Sequence, residues 1–232
     1  MTEADLGFIR RILSVAETGK PRWDPSAVYV YNDDNRFSPP RRQVTLSIGF
    51  TEGGGNLKKV LGAYIEAGGA LSKELKPFLA GLGDKSHGSL AGNQAFVSLL
   101  KAAGKENCMV KVQQEEFDSM YLKPAISWGE TYGFKVPLSY LVIADSYLHS
   151  GSMLGFLMSK FPEKKPSAGG NEKIWIRDYL AARHSWLKNH SNTILNKTVY
   201  RADCYMKEAA KDNWDLTAGP IVMNGTPVHR TG

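Results

Sequence analysis

From residue 57 to residue 210 the apolar side chains of this 232-residue chain recur at intervals of three and four, the spacing that lines one face of an α-helix. Leu57, Val60, Leu61, Tyr64 and Ile65 make one stripe, and Leu75, Phe78, Leu79 and Leu82 another. Further helices are expected near 91–103, 110–132, 137–148, 151–160, 172–188 and 199–210, with glycine or proline in most of the gaps. An earlier helix places Leu6, Ile9, Leu13 and Ala16 on one face of residues 3–16, with Thr2 as its cap and Gly19 beyond its end. Only AVYVY at 27–31 and VTLSI at 44–48 read as strands. The polar loop NDDNRFSPPRRQ joins them, and GGG at 53–55 ends the β region. KFPEKKPSAGG at 160–170 reads as the most mobile loop. The expectation is a mostly α (α+β) fold: a single domain over 1–232 with two lobes, a small β-sheet near the N-terminus and a cleft between the lobes.

Several classes are set aside by what the chain lacks. No apolar run reaches the length of a membrane span, so no membrane insertion is expected. MTEADLGFIRR has no basic segment leading into an apolar one, so no Sec signal is read and synthesis in the cytoplasm is expected. Without a signal, the sequons at Asn189, Asn196 and Asn224 read as chance matches. Cys108 and Cys204 leave a disulfide and two buried thiols both open. His87, His149, His184, His190 and His229 show no HExxH spacing and there is no CxxC, so neither metal nor cofactor is expected. No GxSxG elbow occurs, and GFTEGGGN at 49–56 lacks the lysine and hydroxyl of a phosphate loop. The net charge of +6 favours an acidic partner. With no basic stripe or known module, nucleic acid is not the expected one.

The chemistry-bearing residues are acids. Glu17 falls in the last turn of the first helix, where the helix dipole and partial burial both disfavour an ionised carboxylate, as a general acid requires. Asp33 and Asp34 sit in a polar turn, where a carboxylate stays ionised and can activate water. Two carboxylates in such contrasting settings are the pattern of glycoside hydrolysis, although ordinary surfaces carry the same residues. Asp145, inside the apolar run YLVIADSYL, should be buried and paired with an arginine or lysine from a distant segment.

With these residues in place, the sequence resembles the family 46 chitosanases, a branch of the lysozyme superfamily. The likeness runs through AET at 16–18, DNR at 34–36, IGF at 48–50 with its glycine-rich turn, QQEEFDSMYLKPA at 113–125, ADSYLHSG at 144–151, PSAGGNEKIWIRDYLAAR at 166–183 and RAD at 201–203. The resemblance implies an inverting hydrolase with Glu17 as general acid and Asp34 as general base. Arg36, Thr45, Asp145 and Arg201 would support them, Asp145 and Arg201 as a pair beside Glu17. The segment between Asp34 and Ile48 is about five residues longer than the family's, which leaves Asp33 and Glu52 as alternative bases. Glu52, Asn56 and Tyr205 are carried over as substrate-binding positions, Asn56 and Tyr205 standing where the family has acids. Losing two acids in a basic chain shifts the expected substrate from cationic chitosan to peptidoglycan, whose acidic stems could meet the Arg- and Pro-rich segment 37–43. Muramidases of this superfamily from phages and secretion systems make delivery machinery and an immunity protein conceivable partners and the cell wall the expected place of action. A true chitosanase and a non-catalytic glycan-binding module are the rivals.

Overall fold

The computed structural model describes residues 1–34, 41–83 and 89–230. Arg36, His87 and most of the loop after Asp34 lie outside the described residues. In chain order the elements are α1 (Glu3–Thr18), β1 (Val28–Asp34), β2 (Arg41–Leu46), β3 (Phe50–Thr51), α2 (Asn56–Glu66), α3 (Ser72–Leu79), α4 (Gln94–Ala103), α5 (Asn107–Phe117), α6 (Lys123–Thr131), α7 (Pro137–Ser150), α8 (Gly155–Met158), α9 (Glu172–Lys188), α10 (Thr193–Asn196), α11 (Tyr200–Ala210), β4 (Ile221–Met223) and β5 (Thr226–Val228). The protein is mostly helical with a small antiparallel sheet, as expected. It divides into two compact units, Trp23–Asp118 on the one hand and Met1–Arg22 with Ser119–Gly232 on the other. No described helix is long and apolar enough to cross a membrane.

In the Trp23–Asp118 unit, β1, β2 and β3 form one sheet in that order. Val44, Leu46 and Phe50 are buried, as are Leu57, Val60, Leu61 and Tyr64 of α2, while Tyr29 and Tyr31 of β1 stay exposed. The pairing of β1 with β2 slips by one residue between Asn32 and Asp34, so the backbone bulges at Asp33. Glu52 stands at the centre of a buried clamp. Its carboxylate accepts from the Val44 N–H at 3.2 Å, the Ser89 hydroxyl at 2.7 Å and the Leu90 N–H at 2.8 Å.

In the other unit, Phe8, Ile9, Ile12 and Leu13 of α1 are buried, together with Leu141, Val142 and Ile143 of α7, Ile176, Tyr179 and Leu180 of α9 and Ile221, Met223 and Val228 of the β4–β5 hairpin. Thr2 and Asp5 form a reciprocal capping box that starts α1, and Gly19 at φ 73° ends it. Both α9 and α11 pack on each other and on α7, which brings the polar residues of all three helices to one buried point.

Four local expectations are corrected. The helix expected over 110–132 is broken: Pro124 has no N–H to donate to the Met120 carbonyl, and the chain widens into a π-turn over Asp118–Leu122 before α6 resumes. Helix over 151–160 shrinks to the single turn of α8. The β4–β5 hairpin adds a second sheet, turning on Asn224 and Gly225, both at positive φ. The 160–170 segment is tied down: the Ser167 N–H donates to the Tyr132 carbonyl at 2.9 Å, and the Asn171 N–H to the Glu163 carboxylate at 2.6 Å. The Lys165 ammonium lies 3.8 Å from the centre of the Tyr132 ring.

Candidate active site

Glu17 is on the final turn of α1, and that turn is fixed from several sides. The Gly19 N–H donates to the Val15 carbonyl at 2.9 Å, the Thr18 hydroxyl to the Ser14 carbonyl at 2.8 Å, and the Ser14 hydroxyl to the Lys20 carbonyl at 2.7 Å. The carbonyl of Ala16, just before Glu17, accepts from the Tyr200 hydroxyl at 2.7 Å and from Arg201 Nη2 at 3.1 Å. Arg201 Nη2 also donates to Glu17 Oε1. The Glu17 side chain keeps a quarter of its surface exposed, whereas Arg201 is almost fully covered. One arginine thus fixes both the backbone and the side chain of a carboxylate that still reaches solvent.

Behind Arg201 lies Asp145, fully buried on α7. Arg201 Nη1 donates to Asp145 Oδ1 at 2.7 Å, the Tyr205 hydroxyl to the same oxygen at 2.9 Å, and Arg183 Nη2 sits 2.8 Å from Oδ2. Asp145 thus faces two buried guanidiniums, and Arg201 links it to Glu17. Burial resists ionisation of Asp145, but Arg201 and Arg183 outweigh it and, with His149 and the Tyr205 hydroxyl, hold its pKa at about 2. The Arg201 pKa is raised: burial opposes its charge, and Asp145 and Glu17 more than restore it. Burial first, then the charge of Asp145, pushes the Tyr205 phenol well above its ordinary value. Tyr121, in the π-turn, is likewise raised by burial and then by the charge of Glu17.

The structure therefore brings Glu17, Asp145 and Arg201 together as one hydrogen-bonded chain. Sequence reading missed Arg183, His149 and Tyr200. A signal for Arg183 existed: it occupies the apolar stripe of α9 with Ile176, Tyr179, Leu180 and Leu187, where an arginine needs a buried acid. Two substrate-binding expectations are corrected. Tyr205 is fully buried and spends its hydroxyl on Asp145. Glu52 is 1% exposed, and its oxygens are occupied by backbone and serine donors, so it serves neither as a substrate contact nor as an alternative base. Asn56 opens α2 and is half-buried. Thr45 is buried on β2 opposite Tyr29 and Thr51, and its hydroxyl meets no hydrogen-bond partner among the described residues. Asp34 ends β1 after the bulge. Cys108 and Cys204 are both free thiols. Among the described residues no cluster of three or more histidine, cysteine or acidic side chains is arranged to hold a metal ion.

The chain is 24% identical over 231 residues to a chitosanase from Streptomyces sp. (strain N174), covering 92% of this chain and 80% of that protein. Its fold matches a native chitosanase from Bacillus subtilis MY002 with a TM-score of 0.78, at 24% identity and covering 95% and 94% of the two chains. It also matches the Gynuella sunshinyii family 46 chitosanase in complex with chitotetraose, with a TM-score of 0.80 at 22% identity over 98% and 97% of the chains. The sequence profile of glycosyl hydrolase family 46 matches residues 11–221, nearly the whole chain. The carboxylate on the last turn of α1 and the buried charges behind it thus sit in a chain that belongs to glycosyl hydrolase family 46 and is a glycoside hydrolase.

Proposed function

We propose that this hydrolase cleaves the β-1,4 bonds of an amino-sugar polymer and that chitosan is its substrate. In this reading Glu17 protonates the leaving oxygen and Asp34 activates a water molecule on the opposite face of the sugar, which inverts the anomeric centre. In the same reading Arg36 and Thr45 support the two carboxylates and Asn56 meets the substrate, as the family resemblance implies. The observation that carries the proposal is the partly exposed Glu17 carboxylate held by Arg201 against buried Asp145. Side chains that cost this much to bury unpaired are placed where geometry matters. The names of the chitosanase relatives favour chitosan over the peptidoglycan first expected from charge.

Peptidoglycan remains the second reading because a chain of net charge +6 is drawn to acidic peptide stems and repelled by a polycation. The purified protein should be incubated separately with highly deacetylated chitosan and with peptidoglycan sacculi, and the products weighed by mass spectrometry. The proposal expects glucosamine oligomers from chitosan. Muropeptides with chitosan left intact would install the muramidase reading, and no product from either would leave a glycan-binding module.

A further inference from the structure

The chain of contacts that begins at Glu17 does not stop at Asp145. It passes from Asp145 Oδ2 to Arg183 Nη2, and from Arg183 Nη2, over 3.3 Å, to Nδ1 of His149. A guanidinium has only donors. The His149 Nδ1 must therefore present its lone pair, which places the ring proton on Nε2 and requires the neutral imidazole. The rest of Arg183 is poorly served: its side chain is fully buried, and Nε and Nη1 meet no acceptor among the described residues. Apart from Asp145, whose carbonyl lies at 3.5 Å, His149 is the acceptor that fixes the orientation of this guanidinium.

We infer that neutral His149 is a positioning residue for the general acid, acting through Arg183 and Asp145 on Arg201, and that its protonation switches the network off. The charged groups that face it are Asp145 one turn away on α7, Arg183 from α9 and Arg201 from α11. Adding a proton to Nδ1 removes the acceptor and sets an imidazolium against Arg183. The guanidinium then turns from Nδ1 and pulls on Asp145, whose Oδ1 accepts from Arg201 Nη1. Burial and the two arginines already hold the imidazole pKa down at about 4, against the pull of Asp145, so the device stays engaged through neutral pH and releases only in acid. The inference rests on Glu17 being the acid of the proposed mechanism.

The test compares His149→Leu and His149→Asn with wild type, on a chitosan oligomer, as profiles of kcat and KM against pH. His149→Leu takes away the acceptor and should lower kcat at pH 6.5 by about 10- to 100-fold with little change in KM, the cost of a misplaced catalytic group. His149→Asn offers an amide oxygen near the position of Nδ1 but cannot titrate. It should recover kcat relative to His149→Leu and retain it to lower pH than wild type. An acid limb of His149→Asn superimposable on that of wild type would overturn the inference, as would equal kcat in the leucine variant and wild type. Failure of the acid assignment itself would show differently, as undiminished turnover by Glu17→Gln.

Discussion

Two arginines and a tyrosine converge on Asp145, and the consequences of removing each member differ. Asp145→Asn leaves Arg183, which has no exposed surface, and Arg201 without their shared anion. It should cost about 3–5 kcal/mol in urea denaturation. Arg201→Ala should cost less, because Asp145 keeps Arg183 and Tyr205, yet it should lower kcat as strongly, since Glu17 loses its anchor. A smaller stability loss for Asp145→Asn than for Arg201→Ala would contradict this ranking. Acid should erode stability in two steps. His149 has a folded pKa of about 4 against 6.5, so below 6.5 the unfolded chain takes up a proton first and stability falls until about pH 4. That gap is worth about 3 kcal/mol. Asp145, at about 2 against 3.8, contributes stability that is present above about pH 4 and lost as pH falls through 2. Urea midpoints measured from pH 7 to pH 2 should show the first step vanish in His149→Asn. At this scale the sequence showed the need for a buried partner for Asp145, because a lone acid in an apolar run must be paired. It did not show that one acid takes two arginines, because that depends on where α9 crosses α7.

The elements were legible where period and caps agreed and illegible where a single residue overruled the period. Helix α1 followed its capping signals, Thr2 and Gly19, and α9 spans the 172–188 that its apolar spacing predicts. The break at Asp118–Leu122 was not legible, because apolar spacing runs through Pro124 while the backbone cannot. Asn224–Gly225 was a readable hairpin turn that was overlooked, its flanking strands being only three residues each. Gly225 sits at φ 82° with open space around it, so Gly225→Ala suffers only the backbone penalty and should destabilise by about 1–2 kcal/mol. A melting temperature unchanged from wild type would refute the turn. Glu52 also belongs to this scale. Glu52→Gln replaces an oxygen by an amino group within reach of the Val44 N–H and the Ser89 hydroxyl, and should cost about 1–3 kcal/mol. If Glu52 were the catalytic base, kcat per folded molecule would collapse as well; the clamp reading expects the loss in stability alone.

At the scale of the whole molecule, family and reaction class could be read from the order of short motifs along the chain, but the substrate could not. Net charge points toward peptidoglycan and the chitosanase relatives toward chitosan, and a sum over 232 residues says little about the few side chains that meet a sugar. The charge still has a measurable effect. A chain of +6 approaching polycationic chitosan meets long-range repulsion, so kcat/KM should rise as salt increases from about 20 to about 200 mM, where screening shortens the reach of charge. Falling kcat/KM over that range would mean that local acids outweigh the overall field. The central claim, that Glu17 is the proton donor of a chitosan-cleaving family 46 hydrolase, is tested most directly by turnover of a chitosan oligomer by Glu17→Gln, with thermal unfolding as the control. The account predicts a folded protein whose kcat is reduced at least about 10²-fold, because the amide keeps the size of the side chain but has no proton to give. A folded Glu17→Gln variant turning over at the wild-type rate would contradict it.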